Sequence, residues 1–177
     1  MRGWTRTAWV ICGAMSVACG LALADAEHAT TSADSPEFQR LKQLAGRWMG
    51  TVTAGHNQGE PVEVEYRVTS GGSAVIETLF PGTPHEMVSV YTDHGGRPNL
   101  THYCMLGNQP RLTLTAEEPQ TWTFTLAEPS EVNVAAETHM HALTVAWPDA
   151  DHLTQAWTLY ESGRPTETTR FSFTRAR

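Results

Sequence analysis

Short runs of alternating apolar and polar residues dominate the chain. Val62, Val64, Tyr66 and Val68 interleave with Glu63, Glu65 and Arg67. Trp122, Phe124 and Leu126 interleave with threonines, and Leu143, Val145 and Trp147 continue the parity of His139 and His141. A period of two sends successive side chains to opposite faces of a strand, so each run describes a sheet with one buried and one wet face, as antiparallel sheets have. The predicted strands are 47–53, 62–69, 73–80, 86–92, 98–105, 110–115, 120–126, 139–147, 152–161 and 166–175. Turn formers separate them, among them Gly71-Gly72, Pro81-Gly82-Thr83-Pro84, Asp93-His94-Gly95-Gly96, Gly107-Asn108 and Ser162-Gly163. The pattern predicts an all-β fold, a single up-and-down antiparallel β-barrel of about ten strands, because closure removes the exposed edges of an open sheet. A two-sheet sandwich is the alternative. Residues 127–138 form the one longer connection.

Ahead of the strands, Ser35-Pro36 reads as an N-cap followed by proline at the first helical position. Phe38, Leu41, Leu44 and Ala45 make one apolar stripe and Gly46 ends it. So short a helix needs a surface to cover, and an open barrel end supplies one. The barrel domain is therefore placed at 36–177, with a flexible polar lead-in over 27–35.

Residues 1–26 have the order of a secretory signal peptide: Arg2 and Arg6, an apolar stretch from Ala8 to Leu23, then the small residues Ala22-Leu23-Ala24 and Ala24-Asp25-Ala26. This places the mature protein in the periplasm or outside the cell, with no transmembrane span. Ser16-Val17-Ala18-Cys19 leaves a lipid anchor at Cys19 as the alternative. Loss of residues 1–26 removes two arginines and one aspartate and moves the net charge from −7 to −8. An acidic product without a basic cluster does not suit nucleic acid or an anionic membrane. Cys12 and Cys19 leave with the signal, so Cys104 has no partner for an internal disulfide.

Gly46-Arg47-Trp48 stands at the entry to the first predicted strand, behind a short helix, and basic residues lie in the last strand. In these features the chain resembles the calycin superfamily of lipocalins, fatty-acid-binding proteins and related bacterial barrels. The resemblance implies a Trp packed across one barrel end with Arg170 or Arg175 against it by a cation–π contact. A narrower likeness is to exported bacterial proteins of unknown function, carried by Glu77-Thr78, Phe80-Pro81-Gly82, His85-Glu86-Met87, Thr101-His102-Tyr103-Cys104 and Asn108-Gln109-Pro110-Arg111. Nitrobindin is another ten-stranded barrel of this kind, with a haem held by a histidine; the chain does not clearly show its motifs, so haem is not the expected cofactor.

Candidate chemistry centres on histidines. His139-Met140-His141 places two imidazoles on one strand face, with a parity that predicts an inward direction. With His102 as a third ligand and His85 in reserve, the set would suit a divalent metal, and hydrolysis or isomerisation of a small molecule would follow. The other reading is a set of hydrogen-bonded histidines lining a polar barrel mouth. His102 and Cys104 share a face, though neighbours of that spacing favour packing over a nucleophile pair. Glu77 lies in an apolar strand and, if inward, needs a partner, for which Arg111 is a candidate. An inward Arg111 would also clamp a ligand carboxylate. Trp122 and Trp157 read as core or cavity lining.

The expected function is binding of a small, partly apolar molecule within the barrel, with Tyr66, Glu77, His102, Cys104, Arg111, Trp122, His139, His141 and Trp157 as the candidate contacts. A metal-dependent enzyme built on His102, His139 and His141, or a filled barrel with a structural role, are the alternatives. Phosphate-loop, nucleophile-elbow and dinucleotide motifs do not occur in the sequence.

Overall fold

The computed structural model describes residues 34–177. The expected signal peptide, Cys12, Cys19 and the lead-in up to residue 33 lie outside the described residues. One helix, α1 (Pro36–Lys42), precedes the strands β1 (Gly46–Ala54), β2 (Pro61–Thr69), β3 (Ala74–Leu79), β4 (Met87–Asp93) and β5 (Pro98–Tyr103). They continue as β6 (Arg111–Glu118), β7 (Thr121–Leu126), β8 (His139–Ala146), β9 (His152–Glu161) and β10 (Arg164–Arg175). Each strand pairs antiparallel with its sequence neighbours, and β1 pairs with β10. The result is a closed ten-stranded up-and-down barrel, compatible with a calycin-like fold, and not a sandwich. No helix among the described residues is long and apolar enough to cross a membrane.

Closure depends on a close approach. A Cβ on Gly50 would lie 1.9 Å from the Ser172 carbonyl oxygen, so glycine alone lets β1 and β10 meet there. Most predicted boundaries move by one or two residues, and two of the shifts have a clear local cause. The strand expected over 98–105 ends at Tyr103, because Cys104 begins a turn with its N–H on the Asn108 carbonyl at 3.2 Å. The strand expected over 110–115 runs on to Glu118, because a register slip between Leu114 and Ala116 lets pairing with β7 continue.

The helix plugs one end. Ser35 Oγ accepts from the Phe38 N–H at 3.1 Å, and Phe38 and Leu41 are buried. Ser35 N–H donates to Asp93 Oδ2 at 2.7 Å and Asp34 pairs with Lys42, so the last two residues of the expected lead-in are tied down. Beyond α1, the carbonyls of Gln43, Leu44 and Ala45 accept from Arg175 Nη2, Trp48 Nε1 and Arg175 Nη1 at 3.1, 2.9 and 2.9 Å. Trp48 and Arg175 are direct partners in the β1–β10 register, and the guanidinium carbon lies 4.0 Å from the indole centroid. Of the two arginines that the resemblance offered, Arg175 makes the contact.

Three inward layers follow from the plug to the opposite end. Trp48, Trp122, Leu153 and Phe173 fill the plugged end, and Trp122 meets Trp147 edge-on at 4.7 Å. A polar belt crosses the middle. An apolar cavity occupies the other end, beside the β1–β2 hairpin.

Candidate functional site

The belt follows from strand register. Tyr66 of β2 stands opposite Glu77 of β3, Glu77 opposite Ser89 of β4, and Ser89 opposite His102 of β5. All four are inward and buried. Gln155 reaches across from β9. Its Nε2 donates to the Tyr66 hydroxyl at 2.6 Å and its Oε1 accepts from Trp157 Nε1 at 3.2 Å. Tyr91 donates to Glu77 Oε2 at 2.6 Å, and Glu77 Oε1 has no partner among the described residues.

Burial decides the charges here. It raises the Glu77 carboxyl above its ordinary range, although Tyr91, Tyr66 and Gln155 act in the opposite direction. Burial, and then the Glu77 charge, lift Tyr66 and Tyr91 well above ordinary phenols. His102 is pushed down to about 4 by burial, so the ring is neutral at pH 7. Its Nδ1 lies 3.0 Å from Ser89 Oγ, while Nε2 is buried and has no partner among the described residues. The ring lies against Trp157, centroids 4.4 Å apart and planes inclined by 36°.

His102 and Trp157 form part of the wall of a cavity of about 190 Å³. Val52, Leu79, Phe80, Met87, Met140 and Phe171 are its other apolar lining residues, Thr169 joins them, and the exposed His56, Asn57 and Glu60 stand on its rim. Phe80 leaves β3 with φ 56° and sets its ring edge-on to Phe171 at 6.0 Å. A left-handed backbone is costly for so bulky a residue, and this one places an aromatic ring in the cavity wall.

The predicted site residues divide into three groups. His102 and Trp157 line the cavity; Tyr66 and Glu77 lie in the belt beside it. Trp122 belongs to the plugged end, and Cys104 is half-buried in the β5–β6 turn, its thiol pushed up by burial. Arg111, His139 and His141 lie on the outer face. The expected inward Arg111 is corrected by Leu112, which is its inward neighbour on β6, leaving Arg111 exposed. Glu77 accordingly takes Tyr91 as its partner.

The histidine pair is corrected by a bulge. The β8–β9 register slips between Met140 and Ala142, so parity read back from Leu143 inverts at His141. Met140 points into the cavity, and His139 and His141 share the outer face with Tyr160. His139 Nδ1 donates to the Glu137 carbonyl at 2.8 Å, which leaves its Nε2 to accept from His141 Nδ1 at 3.1 Å. His141 stacks on Tyr160 at 3.7 Å. Burial, then the His139 charge, lower its affinity for a proton, and Glu128 opposes them. The sheet wall separates this pair from His102. No group of three metal-ligating side chains assembles among the described residues.

Sequence reasoning missed Ser89, Tyr91 and Gln155 in the belt and Phe80, Met87, Met140 and Phe171 in the wall. Ser89 shares parity with Tyr91, and Gln155 with Leu153 and Trp157. A polar residue in an apolar register is the signal that would have found both.

Ser89 and His102 have the atoms of a nucleophile–base pair. Ser89 does not line the cavity, however, and no carboxylate among the described residues orients the ring, so the arrangement favours holding an imidazole over attacking a substrate. Comparison of the chain with protein-family models and with curated proteins gives no match.

Proposed function

We propose that the chain is an exported, calycin-like barrel that binds a small, partly apolar molecule in the cavity at its unplugged end. One observation carries this reading: an apolar cavity at the unplugged barrel end, walled by Leu79, Phe80, Met87, Met140, Phe171 and Trp157, with the buried His102 ring among its lining. A dry apolar cavity of roughly 150 Å³ is enough to take up benzene. Drug-sized ligands occupy pockets of roughly 300–1,000 Å³. At about 190 Å³ the cavity suits one ring or a short branched chain, and a tetrapyrrole is too large for it. Removal of apolar surface from water supplies the affinity, at about 25 cal/mol per Å² before the costs of association. His102 and Thr169 in the wall and His56, Asn57 and Glu60 on the rim supply the polar groups that could orient the occupant.

The test is extraction of freshly isolated mature protein with organic solvent, followed by mass spectrometry of the extract. A small molecule released in proportion to protein supports the reading. An empty extract, with no binding across a panel of small aromatics, lipids, haem and metabolites, overturns it in favour of a filled barrel with a structural role. Intact-mass analysis of the same preparation tests export. A start near Asp25 or Glu27 is expected, and a lipidated start at Cys19 would place the protein on a membrane surface instead.

A further inference from the structure

We infer that the occupant of the cavity is a small amine, with its ring or short chain in the apolar space and its ammonium at the rim beside Glu60. The inference rests on the reading of the cavity as a ligand site and adds the charge of the ligand.

The cavity reaches the surface at the β1–β2 hairpin, where three of its lining residues, His56, Asn57 and Glu60, are exposed. Most of the remaining wall is apolar, so a charged group on the occupant belongs at this rim, where it keeps part of its water. Glu60 is the one carboxylate among the lining residues, and neither lysine nor arginine joins it there. Its side chain takes part in none of the ion pairs among the described residues. Other glutamates of the same barrel end are engaged: Glu86, Glu137 and Glu167 accept the backbone N–H groups of Gly82, Asn133 and His56 at 2.6, 2.9 and 2.6 Å. An ammonium brings three donors, and the rim offers the Glu60 carboxylate, the Asn57 amide oxygen and the His56 ring as acceptors.

The wider field at this end has the same sign. The connections between paired strands there span 55–60, 80–86, 104–110, 127–138 and 162–163. They hold Glu60, Glu86, Glu128, Glu131 and Glu137, and neither lysine nor arginine. Arg111 and Arg164 begin the strands that follow two of these connections, and both are exposed. At the plugged end, by contrast, Arg40, Lys42, Arg97 and Arg175 stand among the acidic residues. Acidity without compensation therefore gathers around the cavity mouth, which draws cations toward it and repels anions. Inside, Phe80, Trp157 and Phe171 add aromatic rings, whose faces attract a cation. A carboxylate ligand would meet this field without a basic partner in the lining, since Arg111, the candidate clamp, is on the outer face.

Calorimetric titration of the mature protein at pH 7 and low ionic strength with four probes of similar size tests the inference. Ethylbenzene has no polar group, acetophenone is polar and neutral, benzoate is anionic and benzylammonium cationic. Benzylammonium is expected to bind about fivefold more tightly than ethylbenzene or acetophenone, as an exposed ion pair provides, and benzoate more weakly than either. Salt at about 0.5 M should erase most of the benzylammonium advantage and leave the order of the neutral probes unchanged. Glu60→Gln should bring benzylammonium to the level of ethylbenzene without changing ethylbenzene. Glu131→Gln removes a charge from the same end but not from the cavity lining, and should change benzylammonium affinity less than about twofold. No advantage for benzylammonium in low salt, an advantage that salt leaves intact, tightest binding of benzoate, or equal effects of the two substitutions would overturn the inference while leaving the cavity as a binding site. Failure of every probe to bind, the neutral ones included, would overturn the binding reading itself.

Discussion

Ser89 stands directly opposite His102 across β4 and β5, its hydroxyl 3.0 Å from Nδ1 of the ring. The contact holds the ring in place, and burial keeps it neutral at pH 7. The same burial makes the fold sensitive to acid.

The acid sensitivity has a definite sign. His102 has an ordinary value of 6.5 and a folded value of about 4. Between those values the unfolded chain takes up a proton that the fold refuses. The contribution is fully present above about pH 6.5 and is lost as pH falls toward 4, by about 3 kcal/mol in all. Urea unfolding at pH 7 and 4.5 checks this. The stability difference between the two should be roughly 2–3 kcal/mol smaller in His102→Gln than in wild type; equal differences would show that the ring protonates freely in the fold.

Glu77 acts in the opposite direction. Its folded value is raised by burial, so the fold holds a proton that the unfolded chain releases. Its contribution is fully present below the ordinary value of 4.5 and is lost as pH rises through the raised folded value. Glu77→Gln copies the protonated acid. Thermal unfolding should show the variant gaining on wild type as pH rises from 4.5 to 8, with little gain at the acid end. A variant less stable at every pH would mean that the carboxylate itself is required by the belt.

At the plug, Arg175 bonds three carbonyls, those of Ala150, Ala45 and Gln43, while lying over Trp48. A lysine ammonium has neither the planar fork nor the reach. Arg175→Lys should cost about 1–2 kcal/mol of stability. Arg170→Lys, at an exposed position, should cost almost nothing. Equal losses in thermal unfolding would show that the plug does not depend on the Arg175 contacts.

Arg111 and His141 lie on the outer face, so Arg111→Ala and His141→Ala should change acetophenone affinity no more than the surface change Glu63→Ala, less than about twofold, while Trp157→Ala should weaken it several-fold. Calorimetry decides this. Selective weakening by Arg111→Ala would mean that the barrel opens differently in solution.

The barrel was legible because alternation is a direct consequence of strand geometry, and Gly46-Arg47-Trp48 marked the end that the helix covers. Site directions were legible only where the alternation was unbroken. Trp157 and His102 lie in regular ladders and point where their parity predicts. His139 and His141 do not, because one bulged residue reverses every inference carried past it. Arg111 is a different failure: Leu112 and Leu114 in the same run already marked the inward parity, which is opposite to that of Arg111. The belt was not legible as a unit, since Tyr66, Glu77, Ser89 and His102 come together only through register across four strands.

The central claim is that the cavity beside the β1–β2 hairpin takes up a small apolar molecule. Methyl NMR of methionine-labelled mature protein tests it most directly, because Met87 and Met140 line the cavity while Met49 and Met105 are exposed elsewhere. On titration with acetophenone, the Met87 and Met140 methyl signals should shift and saturate together, with Met49 and Met105 unmoved. Shifts confined to Met49 or Met105, or no saturable shift at Met87 and Met140, would contradict the account.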